Sequence, residues 1–541
     1  MCYYAIFWKE FFLQINHHGL MKKTKYLKPG LLFLSLALFL ATASRANNII
    51  VDNVSLTGQN TVNHTTSVRF DISWENSWRT STAPNNWDAA WVFIKFRIGS
   101  GSWHHATLNS ANHIAPAGST ISAPVDNTGI FLYRSTDGSG TFSLSGVKLG
   151  WDYAFDGVVD NDVVDIKVFA IEMVYVPQGA FYVGSGGSEV AHFYSYPTST
   201  SPYYIDSENE ITVGTTPGNL YYATSSNSGD ALGPVPAAYP KGYKAIYVMK
   251  YEISQIAYVD FLNVLTRSQQ NARTSAFLGS GTSSVTNRFV MVTLDAGSNG
   301  YPTPERRSGI RCDAVIDPVN PITFYCDLNA NNIPNEIDDG QDISCVYLSW
   351  ADAMAYLDWA GLRPMTELEY EKACRGTLYP VANEQVWGVT AVTISTGLLN
   401  SGRPDEISSV STANCTCNNG ILGPTRGGMY AKAGSSRLRA GATYYGILDM
   451  GGNLWERPVT LGNPEGRSFT GLHGDGNIDA SGNADVPNWP SGATGIGSGF
   501  RGGYWASTPY SITHVSDRSD GAHGTDRRRE RFGGRGIRTS L

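Results

Sequence analysis

The chain has few charged residues and few sustained helical patterns. Only 16% of its 541 residues are charged, and the formal net charge is −7, which argues against broad nucleic-acid binding. Glycine, serine, threonine, asparagine and aromatic residues are abundant instead. This composition is typical of a loop-rich, β-leaning extracellular protein and disfavours a cytosolic α/β enzyme.

A long apolar run occurs only near the N-terminus. From Met21 the basic segment MKKTKYLKPG precedes LLFLSLALFLATA, which is short for a membrane span, and small residues follow at Ala41, Ala43 and Ala46. This order is typical of a secretory signal peptide. We assign residues 1–46 to a leader and expect export to the periplasm, the cell surface or the medium, with no transmembrane segment after cleavage. The first 20 residues are interpreted as a mis-assigned start, the alternative being a longer leader.

Cysteines are scarce. Cys2 lies in the leader, and six remain: Cys312, Cys326, Cys345, Cys374, Cys415 and Cys417. An even number in an oxidising compartment permits disulfides, but six cysteines allow 15 pairings and the sequence leaves the choice open. The one-residue spacing of Cys415 and Cys417 favours partners elsewhere over a bond between them. Zinc is the weaker interpretation, because no CxxC pair or nearby histidine completes a ligand set.

Residues 47–170 are predicted to form an all-β sandwich. The segment 91–98 alternates so that Val92, Ile94 and Phe96 face one way, as a half-buried strand requires. Short strands and turn residues follow at hairpin spacing. The pair His104-His105 has no acidic or cysteine partner nearby and is interpreted as a solvated strand edge.

A helix with clear boundary signals is predicted at 366–376. Thr366 and Glu369 match a capping box, and Gly376 supplies a stop. Glu367 and Glu371 complete a group of three carboxylates with Glu369. We interpret that group as a cap and a solvated helix face, with a catalytic acid cluster as the alternative.

The segment DLNANNIPNEIDD, residues 327–339, has the spacing of a calcium loop. Positions 1, 3, 5, 7, 9 and 12 are Asp327, Asn329, Asn331, Ile333, Asn335 and Asp338. Calcium takes six to eight oxygen ligands, which alternate side chains and the Ile333 carbonyl supply in such loops. Asn332 stands where glycine is usual, although asparagine tolerates the same positive φ. The alternative is an asparagine-rich turn without an ion.

Four motifs carry a family resemblance. They are MVYVPQGAFYVGS at 173–185, LRPMTELEYEKACRG at 362–376, GILDMGGNLWE at 446–456 and GFRGGYW at 499–505. These segments resemble the formylglycine-generating enzyme, or sulfatase-modifying factor, family. The resemblance covers residues 171–541. It implies a mixed α+β fold with much irregular loop, namely a formylglycine-generating-enzyme-like (C-type lectin-like) domain, here preceded by the all-β sandwich.

The resemblance also implies a second calcium site. In the family the motif that matches GILDMGGNLWE binds calcium through one side chain, two carbonyls and a glutamate. The matching positions are Asp449, the carbonyls of Gly452 and Leu454, and Glu456. Aspartate in the first position adds negative charge and suits a hard cation.

The resemblance does not extend to the family's catalytic cysteines. Family enzymes bind copper through two cysteines after the RGGSW motif, and Ser507 and Ile512 stand near those places. Soft thiolates select Cu(I), which a hydroxyl or an alkyl side chain does not bind. We therefore expect no copper and assign no catalytic residue. The tail histidines are interpreted as surface residues, and the run 527–531 as an ion-pair network with Asp517, Asp520, Asp526 and Glu530.

Together these patterns predict a secreted, calcium-stabilised, catalytically degenerate relative of the sulfatase-modifying factors. Its role would be binding or structural assembly at the bacterial cell envelope or surface. The partner would be a protein, a glycan or a second copy of the chain. One alternative is an oxidoreductase of the same fold with a different reacting group, and another is a carbohydrate-binding, lectin-like protein. The sequence leaves the partner and the oligomeric state open.

Overall fold

A computed structural model describes residues 48–293, 299–418 and 420–540. The predicted signal peptide lies outside these ranges. Within them, no helix combines the length and the apolar character needed to cross a membrane.

The described residues are mainly β-structure with few helices and long irregular connections. The strands are β1 (Ile50–Asn60), β2 (Thr65–Arg79), β3 (Asp88–Ile98), β4 (His104–His105), β5 (Leu108–Ile114), β6 (Ser119–Ser122), β7 (Ile130–Arg134), β8 (Gly138–Asp152), β9 (Val164–Val176), β10 (Phe181–Val183), β11 (Tyr194–Ser195), β12 (Tyr203–Ile205), β13 (Leu220–Tyr221), β14 (Ile246–Met249), β15 (Ile310–Cys312), β16 (Phe324–Cys326), β17 (Leu398–Leu399), β18 (Ile407–Ser408) and β19 (Ile537–Thr539). The helices are α1 (Gln255–Leu262), α2 (Arg267–Arg273), α3 (Trp350–Trp359), α4 (Glu367–Arg375), α5 (Arg437–Ala440) and α6 (Pro464–Arg467), with a 3-10 turn at Tyr510–Thr513.

Two larger sheets contribute side chains to the hydrophobic core of the N-terminal region. One has the order β1-β2-β8-β5, and the other has the order β19-β14-β9-β3-β7-β6, with β4 also paired to β3. Val92, Ile94 and Phe96 of β3 pack with residues of β2 and β8 in a core between the sheets. On the opposite face of β3, Trp91 and Phe93 are also fully buried, in a second core that includes α3. The prediction of a half-buried strand was therefore wrong, because both faces of β3 are covered.

The larger sheet continues across the boundary predicted between residues 170 and 171. That boundary lies inside β9, which pairs with β3 from Asp88 to Ile98 and with β14 from Ile246 to Met249. In addition, the Lys250 amine lies 2.9 Å from Glu172 and 3.4 Å from Asp88, and all three are buried. Strands from both predicted regions thus belong to one hydrogen-bonded sheet.

His105 corrects the prediction of a solvated strand edge. Its ring is buried, with Nδ1 3.0 Å from the Lys95 amine and Nε2 2.6 Å from the Thr128 carbonyl. Burial and the neighbouring amine hold the pKa of His105 well below its usual value. His104, in contrast, is exposed. The alternation in sequence could not reveal that loop 471–477 covers this edge, where the Gly476 carbonyl binds Lys95.

Helix α4 confirms the predicted cap and corrects the predicted exposure. Thr366 Oγ1 accepts a bond from the Glu369 amide at 3.2 Å, and the Glu369 carboxylate accepts one from the Thr366 amide at 2.9 Å. Gly376 ends the helix with a φ of 69°. However, every residue of the helix is buried, so Glu367 and Glu371 do not form a solvated face.

Candidate cation sites

Two of the family motifs are rich in glycine, the first at 446–456 and the second at 499–505. These two glycine-rich motifs lie against each other. Glu456 and Arg501 exchange two backbone hydrogen bonds of 3.0 Å, and the Gly452 amide donates to the Gly502 carbonyl at 2.8 Å. The Trp505 amide also donates to the Asn453 carbonyl at 2.8 Å. Each motif therefore supports the backbone of the other.

Arg501 joins the second motif to the buried glutamates of α4. Its Nη1 lies 3.1 Å from Glu367 and its Nη2 lies 2.6 Å from Glu371. Arg518 binds the same Glu367 at 2.7 Å, and Arg375 binds Glu371 at 3.1 Å. Burial alone would raise the pKa of Glu371, but Arg501 and Arg375 outweigh it and hold that pKa below its usual value. Glu369 pairs with Arg363 at 2.7 Å, so structural ion pairs account for all three carboxylates of α4.

The motif at 446–456 contributes to a buried group of acids. Asp449 and Glu456 are buried beside Glu252, a residue without a sequence signal. Burial, together with the charges of Glu456 and Asp449, raises the pKa of Glu252 well above its usual value. Burial and the charge of Asp449 raise the pKa of Glu456, and burial raises the pKa of Asp449. Arg535 binds one oxygen of Glu456. The other oxygen, Oε2, is buried without a hydrogen-bond partner among the described residues.

This environment fits a hard cation. Asp449 has a φ of 59°, and its Oδ2 accepts a 2.5 Å bond from the Gly428 amide. Glu252 is held by the Leu454 amide at 3.0 Å and by Asn453. The three carboxylates offer oxygen atoms and outnumber the two guanidinium groups, Arg535 and Arg426, that act on Asp449. Calcium prefers oxygen ligands.

The loop at 327–339 brings together some of the predicted ligands. The carboxylate oxygens of Glu336, Asp338 and Asp339 lie within 4.8 Å of one another. Asn329 donates to Asp338 at 3.2 Å. Oδ1 of Asp339 is buried and accepts no hydrogen bond in the part of the chain that the structure describes. Glu336 and Asp339 were not in the predicted set.

Other predicted ligands of this loop bind protein groups. Asp327 is buried against Arg311 and accepts the Asn332 amide at 3.1 Å. Asn335 Oδ1 accepts the Cys326 amide at 3.0 Å. Asn331 Oδ1 accepts the Ile333 amide at 2.8 Å, and its amide group donates to Glu336. Asn332 has a φ of 75°, which confirms that asparagine takes the left-handed conformation of the usual glycine.

Ser507 and Ile512 have structural contacts. Ser507 is 1% exposed, and its Oγ accepts the Tyr504 amide at 2.7 Å. Ile512 lies in the 3-10 turn and packs against the cluster of Trp455, Phe500 and Phe532. The hydroxyl of Ser507 therefore stabilises the turn after the GFRGGYW motif.

The cysteines correct one prediction. Cys415 and Cys417 are bonded to each other, with their Cα atoms 5.6 Å apart, so the expectation of partners elsewhere was wrong. Among the described cysteines, Cys312, Cys326, Cys345 and Cys374 are buried free thiols.

The arginine-rich tail, residues 527–531, forms an ion pair with an acid that is distant in the sequence. Arg528 binds Asp352 of α3 through two bonds of 2.6 and 2.7 Å. Arg531 lies 3.8 Å from Glu530, as predicted for this run. Because Asp352 is 176 residues from Arg528, no spacing in the sequence could have predicted the pair.

These features define a loop-rich, β-dominated domain in which two glycine-rich motifs interlock beside buried carboxylates. The chain belongs to the sulfatase-modifying factor family, because residues 165–539 match the model of the sulfatase-modifying factor enzyme 1-like domain. The predicted family is thereby confirmed.

One curated relative is the formylglycine-generating enzyme of Thermomonospora curvata. It is 29% identical over 135 residues, which cover 23% of this chain and 35% of that protein. The match therefore spans about a third of the relative's length. It supports common ancestry without establishing a common activity.

Proposed function

We propose that the chain is an exported, calcium-stabilised member of this family whose domain has a binding or assembly role at the cell envelope or surface and no formylglycine-generating activity. In this proposal the domain has the C-type lectin-like architecture of the family, and the two N-terminal sheets form a β-sandwich beside it. The observation that carries the proposal is the burial of Ser507, whose hydroxyl binds the Tyr504 amide.

Copper chemistry in the family depends on two thiolates after the second motif. Near the matching places this chain has Ser507 and Ile512, and the last cysteine in the sequence is Cys417. A buried hydroxyl and an alkyl side chain offer Cu(I) no soft ligand. A scaffold that keeps the interlocked motifs and lacks the thiols is suited to binding.

The test of this proposal uses the purified full-length chain. We expect less than one tenth of an equivalent of bound Cu(I) and no conversion of a cysteine-containing sulfatase peptide to the aldehyde by mass spectrometry. An active formylglycine-generating enzyme assayed in parallel is the positive control. Stoichiometric copper together with aldehyde product would overturn the proposal in favour of an oxidoreductase.

Calcium is proposed at two places, the loop 327–339 and the acids around Asp449. In the loop, the clustered oxygens of Glu336, Asp338 and Asp339 support the proposal, since one of them is a buried oxygen without a partner within the described ranges. Asp327 contributes less, because its carboxylate is already paired with Arg311. The proposed loop site therefore lies at the C-terminal end of the loop 327–339.

Alanine at Asp338 is expected to remove a larger part of the calcium response than alanine at Asp327. The measured quantity is the difference in melting temperature between calcium and chelator, so that the intrinsic cost of each substitution cancels. Asp52→Ala, at an exposed strand position, is the matched control and should leave the difference unchanged. An equal response in Asp338→Ala and the unsubstituted protein would contradict a loop site.

A further inference from the structure

A cavity of about 590 Å³ lies between helices α2 and α3, the loop 483–493 and the arginine-rich tail. Its volume falls in the range of small-molecule sites. None of the motifs that define the family contributes to its lining. The cavity is thus separate from the acids around Asp449.

One wall of the cavity carries more positive than negative charge. Arg273 and Arg528 both line it, and both pair with the buried Asp352. Arg528 occupies both carboxylate oxygens, at 2.6 and 2.7 Å. Arg457 is buried close behind, with its guanidinium on the carbonyls of Leu348 and Thr525. Asp352 is therefore shared by two guanidinium groups and has a third nearby, while the exposed Asp526 is a second carboxylate at this cavity.

Arg273 is the least satisfied of these cations. Only 6% of the residue is exposed. Its Nη1 lies 3.3 Å from Asp352 without hydrogen-bond geometry, and its Nη2 donates to Asn483 at 3.0 Å. Neither Nε nor Nη1 has a hydrogen-bond acceptor in the described structure. Buried donors of this kind are rare in native proteins, and an anion is one of the groups that satisfies them.

The rest of the lining suits a sugar ring. Trp489 is partly buried and lines the cavity, and aromatic side chains are surfaces on which the C–H groups of a pyranose pack. Asn271, Asn483, Ser491 and Asp526 surround the same cavity and carry the donors and acceptors that hydroxyl groups require. An aromatic wall beside planar polar side chains and an arginine matches a polyhydroxylated ligand that also carries a carboxylate.

We propose that this cavity binds an acidic saccharide of the uronic acid class, with the carboxylate toward Arg273 and the sugar ring against Trp489. The inference rests on the proposed binding role and names the kind of glycan that would fill it. The two proposals fail separately. Aldehyde formation on the sulfatase peptide would overturn the proposed function, and absence of saccharide binding would overturn this site.

The test compares ligands that differ only at the carboxylate. Binding of glucuronic acid and glucose to the full-length protein is measured by ligand-observed NMR and calorimetry, with acetate as an anion without a ring. We expect glucuronic acid to bind at least tenfold more tightly than either. Equal affinity for glucose would overturn the role of Arg273, equal affinity for acetate would overturn the role of the ring, and no binding would overturn the site.

Substitutions locate the binding. Arg273→Gln and Trp489→Ala are each expected to weaken glucuronic acid binding at least tenfold, whereas Arg527→Gln, at an exposed position of the same tail, should not change it. Melting curves identify variants that fail to fold. If Arg273→Gln does not fold, the partly exposed Trp489 decides the question, because unchanged affinity in Trp489→Ala would overturn the proposal.

Discussion

Replacing Arg501 by methionine is expected to lower the free energy of unfolding by about 3–5 kcal/mol, the usual cost of breaking a buried ion pair from one side. Arg501 is fully buried and binds both Glu367 and Glu371. Methionine is of similar length but carries no charge. The substitution therefore leaves buried carboxylates with fewer cations than they have in the native protein.

Urea unfolding of the two proteins measures the difference, and an exposed pair provides the control. Arg97 and Asp165 lie 2.7 Å apart, with side chains 36% and 54% exposed, so Arg97→Met should cost less than about 1 kcal/mol. A similarly small loss for Arg501→Met would mean that the α4 network does not stabilise the fold.

The pH dependence of this effect has a definite sign. Glu371 has a lowered pKa in the folded protein because of Arg501 and Arg375, so its ionised form contributes stability above its unfolded pKa. That contribution is lost as the pH falls through the lower folded pKa. The stability difference between the native protein and Arg501→Met should therefore shrink below about pH 4, near the ordinary pKa of glutamate.

The α4 segment illustrates what the sequence could and could not predict. The capping box was predictable because Thr366 and Glu369 are three residues apart and cap each other. The burial of Glu367 and Glu371 was not, because their cation Arg501 lies 134 and 130 residues away in the chain. A pattern of carboxylates on a helix ordinarily indicates solvent, and only the fold brings the arginines to them.

The same limit applies to the candidate cation sites. Asp449 and Glu456 came from a family motif, but Glu252 is about 200 residues from the groups it contacts and has no motif of its own. In the loop, the spacing predicted Asp338 as a calcium ligand, and the structure places it in a group with Glu336 and Asp339. The spacing could not show that Asp327 is paired with Arg311, since that arginine lies outside the loop 327–339.

The interlocked motifs have structural contacts of their own. Glu456 and Arg501 pair through their backbones, while their side chains bind Arg535 and the α4 glutamates. Each residue thus has a structural contact that does not require a thiol.

Chelation of calcium is expected to lower the melting temperature, with the site around Asp449 making the larger contribution. A ligand at 100 times its dissociation constant adds about 2.7 kcal/mol to the free energy of unfolding. Among the described residues, Arg535 binds Glu456 directly and Arg426 acts on Asp449 from nearby. Two guanidinium groups do not balance three carboxylates, so removing calcium would leave part of their repulsion uncompensated. Glu456→Gln is expected to abolish most of this calcium-dependent increment.

The stabilisation by calcium must be measured as the difference in melting temperature between calcium and chelator. Glu456→Gln also deprives the buried Arg535 of its partner and so destabilises the protein with or without calcium. Melting curves in calcium, in magnesium and in chelator separate the two effects. Magnesium demands a tighter octahedral geometry and should restore less than calcium. Glu210→Gln, at an exposed position, is the control and should keep the full calcium-dependent rise in melting temperature. If Glu456→Gln also retained it, the acids around Asp449 would not be the calcium site, and Arg535 would be their principal counter-charge.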